Sequence, residues 1–217
     1  MAGEILAGVR VVEFGQGVAV PYCGKLLADF GAEVIKVEWP QGGDLTRQHG
    51  PFPGDVPHPE RSGLFLALNT NKRGVTLDTS IMTGRQLLQE LLQRADVLLH
   101  DCSPERLTRQ HLDVSELRRT FPHLIATAVT SYGQTGPYSD YEGVDITSCA
   151  LSGLSEGLGE NDRPPLVAPL GQPGYQAGLS AACATVLALL VREYSSQGKR
   201  SILAKQMCWP RYKPACI

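Results

Sequence analysis

The sequence lacks a strong charge bias and lacks an uninterrupted apolar run of bilayer length. Its 20 Lys and Arg residues oppose 22 Asp and Glu residues, so the formal net charge is −2. This balance creates no field that attracts nucleic acid or an anionic membrane. No apolar run approaches the roughly 20 residues of a membrane span, and residues 1–4 lack the parts of a secretion signal. We expect a cytoplasmic protein, with mitochondrial and peroxisomal locations left open, that binds a small molecule and neither nucleic acid nor membrane.

Metal-binding and hydrolase motifs are also missing. The six cysteines form no Cys-x-x-Cys pair and have no histidine at ligand spacing, so no metal site is predicted. No Gly-x-Ser-x-Gly elbow is present, and the strand that ends at His100 has no serine or cysteine motif beside it. The sequence therefore disfavours a catalytic triad. Scattered cysteines of this kind are typical of reduced apolar side chains in a core.

The residues that are present predict one folded α/β domain. Apolar residues make up 42% of the chain and charged residues 19%, as in ordinary globular proteins. Runs of β-branched residues alternate with helical apolar spacing, which predicts an open, doubly wound, mostly parallel sheet. The predicted strands are 9–14, 33–37, 74–78, 95–99 and 124–129, and the predicted helices are 21–30, 83–94, 104–109, 114–120, 145–151 and a buried helix at 178–194.

The segments between and after these elements carry their own signals. Residues 39–61 are rich in proline and glycine and predict a long irregular loop. A second such loop, 131–138, follows a strand end, where ligands bind in open α/β sheets. Residues 201–217 contain three basic residues and no Asp or Glu. We therefore expect the domain to cover residues 1–198 and residues 199–217 to be a tail. Such a change of composition is typical of a splice junction or an altered reading frame.

Two short segments are candidates for holding an anionic ligand. Residues 15–19 join a strand to a helix, and backbone N–H groups at such a turn suit a phosphate or a planar nucleotide. A tight turn that needs glycine geometry explains the same residues equally well, because the third glycine of a dinucleotide fingerprint is missing. Lys72 and Arg73 offer cationic donors for a diphosphate, although exposed pairs of this kind are usually only solvated.

Eight blocks, taken together and in order, carry a family resemblance. They are residues 6–14, 26–38, 43–44, 71–73, 77–78, 95–97, 132–137 and 151–153. Their sequence resembles the class III coenzyme A transferases, which include formyl-CoA and carnitine CoA transferases and the α-methylacyl-CoA racemases. The resemblance implies a Rossmann-like large domain that moves CoA between an acyl-CoA thioester and a carboxylic acid. It also implies that a second, smaller domain is absent, because family members are about twice as long.

The resemblance implies two further properties of the assembly. Family members form interlocked dimers, so a homodimer or a hetero-oligomer with a related chain is expected. The surface that would pack against the absent segments should be apolar, and the chain is expected to associate.

The carboxylate that the resemblance implies for catalysis is missing. Family transferases use an aspartate that attacks the thioester, forming an anhydride and then an enzyme-bound CoA thioester. Gly174 stands at its expected position, and residues 163–192 contain no Asp or Glu. Val144 stands at the histidine of the racemase branch. Asp145 is a secondary catalytic candidate, and a role at the start of a helix is the preferred interpretation.

The resemblance also assigns residues to the binding of CoA, with no metal. Trp39, Ser80 and Cys102 differ from the common family residues, and the first two stand where basic residues are common. Three alternatives therefore stay open: an acyl-CoA transferase, an inactive or truncated member that acts as a partner subunit or CoA-binding domain, and a module for another nucleotide. The assigned CoA-binding residues are Gln16, Gly17, Val18, Ala19, Lys72, Arg73, Asp101 and Arg109.

Overall fold

The structure is a computed structural model that describes residues 5–160, 162–195 and 201–204. Within these ranges its strands are β1 (Arg10–Phe14), β2 (Glu33–Glu38), β3 (Lys72–Thr76), β4 (Val97–His100), β5 (Ile125–Thr130) and β6 (Ser201–Ala204). The helices are α1 (Ala19–Asp29), α2 (Gly63–Leu68), α3 (Met82–Gln93), α4 (Pro104–Arg109), α5 (Val114–Thr120), α6 (Asp145–Leu151) and α7 (Gln172–Ser195).

The strands form one parallel sheet in the order β3-β2-β1-β4-β5-β6. Val12 of β1 lies beside Ile35 of β2 and Leu98 of β4, so β1 is a central strand. Because every strand runs in the same direction, all carboxyl ends meet at one edge of the sheet. The chain reverses its order between β1 and β4, and ligands of such sheets bind outside the carboxyl ends near this point. The prediction of a doubly wound parallel α/β domain is confirmed.

Alternation along β1 divides the core into two layers. Val11 belongs to a cluster that includes residues of α1 and α7, whereas Val12 and Phe14 belong to a cluster with residues of α3, α4 and α5. Successive strand side chains point to opposite faces, so one strand supplies both layers. The helices on both faces bury the sheet, as the apolar character of its strands indicates.

Two elements differ from the sequence-based expectation. Helix α2 lies just after the predicted loop and was not predicted. The Ser62 side chain caps it by accepting from the Phe65 N–H. Strand β6 follows the predicted domain boundary at residue 198 and pairs with β5, so the sheet takes in part of the expected tail. Residues 205–217, with Cys208 and Cys216, lie outside the described residues.

Helix α7 was predicted to be buried, and this is wrong for one of its faces. It begins six residues before the predicted start and packs against α1 and β5. Its opposite face is solvent-exposed and apolar, with Leu187 at 61%, Leu190 at 51% and Tyr194 at 85% exposure. Residues 172–194 are long and apolar enough to cross a membrane by length and composition, and core helices of soluble proteins meet the same test. We call Leu179, Val186, Leu187, Leu190, Val191 and Tyr194 the α7 apolar face.

Candidate functional site

A cleft opens at the carboxyl ends of β1, β2 and β3. Its space of about 380 Å³ includes open solvent, so the cleft is a shallow recess and not an enclosed cavity. The lining residues are Phe14, Gly15, Gln16, Val37, Glu38, Trp39, Gly43, Asp44, Leu77 and Arg106.

A buried ion cluster lies beneath one wall of the cleft. Lys36 Nζ is 2.9 Å from Glu13 Oε1 and 2.7 Å from Asp44 Oδ2, and Lys72 Nζ is 2.8 Å from Glu13 Oε2. All four side chains are at most 2% exposed. Two ammonium groups balance two carboxylates, so the cluster carries no net charge. Each buried charge has an opposite charge within contact, which is the condition for leaving charges inside a core.

The cluster shifts the pKa values of its members in opposite directions. Burial opposes the charged form of Lys36, but the carboxylates of Glu13 and Asp44 outweigh burial and raise its pKa. Burial likewise opposes ionisation of Asp44, and Lys36 and Thr46 together lower its pKa. For Lys72 burial prevails over the attraction of Glu13, and its pKa falls to about 8.

The lack of a side chain at Gly24 leaves room for the Glu13 carboxylate in this cluster. Gly24 lies on α1, and a Cβ atom on it would be only 1.9 Å from Glu13 Oε2. Only a residue without a side chain leaves room for the carboxylate here.

The turn at residues 15–17 is tied to the cluster and to β4. Lys36 Nζ donates to the Gly15 carbonyl at 3.2 Å. The N–H of Gln16 donates to Asp101 Oδ2 at 2.9 Å, and the N–H of Gly17 donates to Asp44 Oδ1 at 3.2 Å. Gly17 has φ 75°, a left-handed conformation that glycine adopts without strain. The predicted phosphate-binding amides of Gln16 and Gly17 are therefore engaged by protein carboxylates.

Arg47 fixes the loop that forms the rim of the cleft. Its guanidinium contacts both carboxylate oxygens of Glu38, at 2.7 and 2.9 Å, and lies 3.7 Å from the centre of the Phe65 ring. Although burial opposes it, hydrogen bonding from Arg47 and from the Asp44 N–H lowers the pKa of Glu38. In dinucleotide-binding folds an acidic residue near this place accepts a ribose hydroxyl. Here that carboxylate is already used by Arg47.

Arg106 is the cation among the lining residues, and sequence reasoning missed it. Its guanidinium carbon lies 5.6 Å from the centre of the Phe14 ring, and its Nη1 is 3.7 Å from Asp101 Oδ1. The side chain is 46% exposed, so it is held loosely. Helix α4 begins at Pro104 behind a Ser103 cap, which places Arg106 toward the sheet. The Ser103 cap, from which the direction of each side chain on α4 follows, was the sequence signal that could have identified Arg106.

Asp101 connects the turn at residues 15–17 with Arg106. Its Oδ2 holds the Gln16 N–H, whereas Oδ1 is buried without a hydrogen-bond partner among the described residues. Burial raises the pKa of Asp101, and the Gln16 N–H and Arg106 oppose this rise. Asp101, which was predicted to bind CoA, thus uses Oδ2 to hold the turn at residues 15–17.

The other predicted CoA-binding cations lie away from the cleft lining. Arg109 is 73% exposed and pairs with Glu105 on its own helix. Arg73 is 78% exposed and pairs with Glu33 at 2.8 Å, near the start of β3. Lys72 is buried in the ion cluster and also donates to the Pro21 carbonyl at 2.8 Å. These three were predicted from short sequence matches, which do not show the direction of a side chain.

The predicted nucleophile position lies where α7 meets the start of α1. Gly174 is buried, and a Cβ atom on it would be 2.8 Å from Val18 Cβ. A Cβ atom on the nearby Gly171 would lie 3.8 Å from Asp145 Oδ2 and 3.9 Å from Val18 Cγ2. Asp145 is the first residue of α6 rather than its cap, which is Val144. The structure thus brings Val18, Gly174 and Asp145 into one neighbourhood, separate from the lining of the cleft.

Comparison with known proteins matches this architecture to one family. Residues 6–206 match the family described as CoA-transferase family III. The chain belongs to CoA-transferase family III. This family III chain spans about half the length of the curated relatives it matches.

Two relatives and one solved structure illustrate the similarity. A succinate–glutarate CoA-transferase of Agrobacterium fabrum is 35% identical over 201 residues, which cover 92% of this chain and 50% of that protein. The β subunit of a succinyl-CoA–L-malate CoA-transferase of Chloroflexus aurantiacus is 35% identical over 201 residues, covering 89% and 47%. The crystal structure of a CAIB/BAIF family protein from Brucella suis superposes with a TM-score of 0.85 at 33% identity, covering 94% and 54%.

Proposed function

We propose that this chain is the CoA-binding half of an acyl-CoA transferase, which moves CoA between an acyl-CoA thioester and a carboxylic acid. The observation that carries the proposal is the cleft between Trp39, Phe14 and Arg106, at the carboxyl ends of the first strands of a family III domain. CoA is the substrate carrier, and no metal takes part. The protein acts in the cytoplasm as a dimer or with a related chain.

The walls of the cleft suit the adenosine diphosphate end of CoA. Trp39, Phe14 and Leu77 offer apolar and aromatic surface for the adenine ring. Arg106 is free enough to turn from Asp101 toward a phosphate, and a guanidinium binds phosphate oxygens in pairs. Glu38 and Asp44 are each neutralised by a basic partner, so they repel a phosphate less than their number suggests.

A titration of the chain with CoA, ADP and NAD tests this assignment. We expect CoA to bind more tightly than NAD, because the carboxylate suited to a ribose hydroxyl is held by Arg47. Arg106→Ala should weaken CoA binding roughly 10-fold, as loss of a charged hydrogen bond predicts. Arg109→Ala is the matched control on the same helix and should change it less than about twofold, because its ion pair is exposed. Preference for NAD, or equal effects of the two variants, would contradict the assignment.

The contact between Gly174 and Val18 favours a second candidate, a subunit that binds CoA but leaves the nucleophile to a partner chain. One relative is named a β subunit, and that name implies a second subunit in that protein. A thioester-transfer assay with hydroxylamine trapping separates the two candidates. Trapping of an acyl group on this chain would support transfer through its own carboxylate, with Asp145 as the residue to test. Trapping only when a related chain is added would support the subunit.

A further inference from the structure

The first turn of α7 packs against the start of α1 with almost no space between the backbones. At Gly174 a Cβ atom would lie 2.8 Å from Val18 Cβ and 3.0 Å from Val18 Cγ1. At Gly178, one turn further on, a Cβ atom would lie 2.5 Å from the Ala19 carbonyl oxygen. Real Cβ atoms essentially never approach another heavy atom so closely. Both positions therefore require glycine as the helices stand.

Rotation of the Val18 side chain cannot relieve the contact at Gly174. The nearest atom is Val18 Cβ, whose position is set by the backbone and does not change with the side-chain rotamer. The backbone of Val18 is held in turn, since its carbonyl accepts from the Tyr22 N–H at 2.9 Å. Relief requires the two helices to separate, and the contact at Gly178 shows that they are packed closely over a further turn.

The electrostatics of the same place favour a carboxylate. Position 174 is in the first turn of a 24-residue helix, where the helix dipole stabilises negative side chains. That turn contains no acidic residue. The obstacle at position 174 is therefore the lack of space and not the local field.

We propose that Val18 closes position 174 to every side chain, so that Val18 decides whether this junction can carry a carboxylate. The inference deepens the proposed function and rests on it for its meaning: a family III domain closed in this way can bind CoA but cannot hold an acyl group at position 174. Val18, predicted above to contact CoA, thus acts as the residue that determines which chemistry the junction allows.

Melting temperatures of paired variants test the proposal. Alanine is a better helix residue than glycine, so Gly174→Ala should raise the melting temperature by about 1–4 °C if space were available. With Val18 present we expect a fall of about 3–10 °C instead, because overpacking prevails. In a Val18→Gly background the same Gly174→Ala change should become neutral or stabilising. Glycine is acceptable at position 18, which is the N-cap of α1.

A graded series keeps the test decisive if one variant folds poorly. Val18→Ala removes the atom at 3.0 Å but keeps the atom at 2.8 Å, so the penalty of Gly174→Ala should be intermediate in that background. Gly174→Asp should follow the same order, with its loss of melting temperature smallest in the Val18→Gly background. Gly157→Ala is the control, because a Cβ atom there meets nothing within 4 Å, and its effect should not depend on residue 18.

Two outcomes would overturn the proposal. One is a Gly174→Ala variant that melts like the wild type with Val18 present; the other is an equal penalty in all three backgrounds. The CoA titration of the wild-type chain is a separate measurement. If the wild type fails to bind CoA while the melting series behaves as expected, the proposed function fails and the closure by Val18 stands.

Discussion

Replacing His100 with glutamine should change how the stability of this domain depends on pH. His100 is the last residue of β4 and is 3% exposed, and its Nδ1 has no hydrogen-bond partner among the described residues. Burial, aided by the positive charge of Arg106, lowers its pKa from 6.5 to about 4. The imidazole is therefore neutral in the folded protein at a pH where the unfolded chain is already protonated.

The sign and size of the effect follow from this difference. Between pH 6.5 and 4 the unfolded state binds a proton that the folded state does not, so stability falls as the pH falls. The contribution of the neutral His100 to the free energy of unfolding is fully present above pH 6.5 and is lost as the pH falls towards 4. The difference of 6.5 − 4 = 2.5 pKa units corresponds to about 3 kcal/mol at 1.36 kcal/mol per unit.

Urea unfolding at several pH values from about 7.5 to 4.5 measures the effect. The free energy of unfolding of the wild type should fall more steeply with decreasing pH than that of His100→Gln. Across this window the wild type should lose about 2–3 kcal/mol more than the variant. Comparing slopes removes any pH-independent cost of the substitution. His58→Gln, which replaces an exposed histidine, is the control for the substitution itself. Parallel curves for the wild type and His100→Gln would refute the reasoning.

Two further predictions concern the ion cluster and the α7 apolar face. Lys36→Met leaves Glu13 and Asp44 buried without this partner and should lower the free energy of unfolding by about 3–5 kcal/mol in urea titrations. The control Arg73→Met removes an exposed charge and should lower it by less than about 1 kcal/mol. Similar losses for both variants would contradict a buried cluster. In size-exclusion chromatography with light scattering, the wild-type chain should show a molar mass above the 23.4 kDa of one chain. The double variant Leu187→Glu, Leu190→Glu should lower this molar mass. A wild type that is monomeric at every concentration would contradict the prediction.

The general fold was predictable because its signals are local and repeated. Runs of β-branched residues that alternate with helical apolar spacing indicated a parallel sheet, and the observed strand order confirmed it. Helices α4 and α5 were predicted with the observed bounds, since Ser103 and Asp113 cap them within the local sequence. Helix α2 and strand β6 were missed because they lie next to or within stretches that were expected to be irregular, the loop at residues 39–61 and the tail.

The site was less predictable because its contacts join distant parts of the chain. Lys72 was expected to face a ligand, yet its partner Glu13 is 59 positions away and draws it into the core. Arg109 was named and Arg106 was missed, because a sequence match fixes a position but not the direction of a side chain on a short helix. The absence of a carboxylate at Gly174 was visible in the sequence, while its steric cause, Val18, appears only when α1 and α7 are packed together.

The fit between Gly24 and Glu13 also bears on how this family can diverge. A side chain at position 24 would occupy the place of a carboxylate oxygen of Glu13. A Gly24→Ala substitution would therefore displace this carboxylate from both of its lysine partners at once. We therefore expect positions 13 and 24 to change as a pair among related chains: a larger residue at 24 should accompany a shorter or apolar residue at 13, with the lysines at 36 and 72 replaced in the same lineages. The lack of a side chain at position 24 of α1 thus couples the evolution of this position to that of positions 13, 36 and 72, which lie on three different strands.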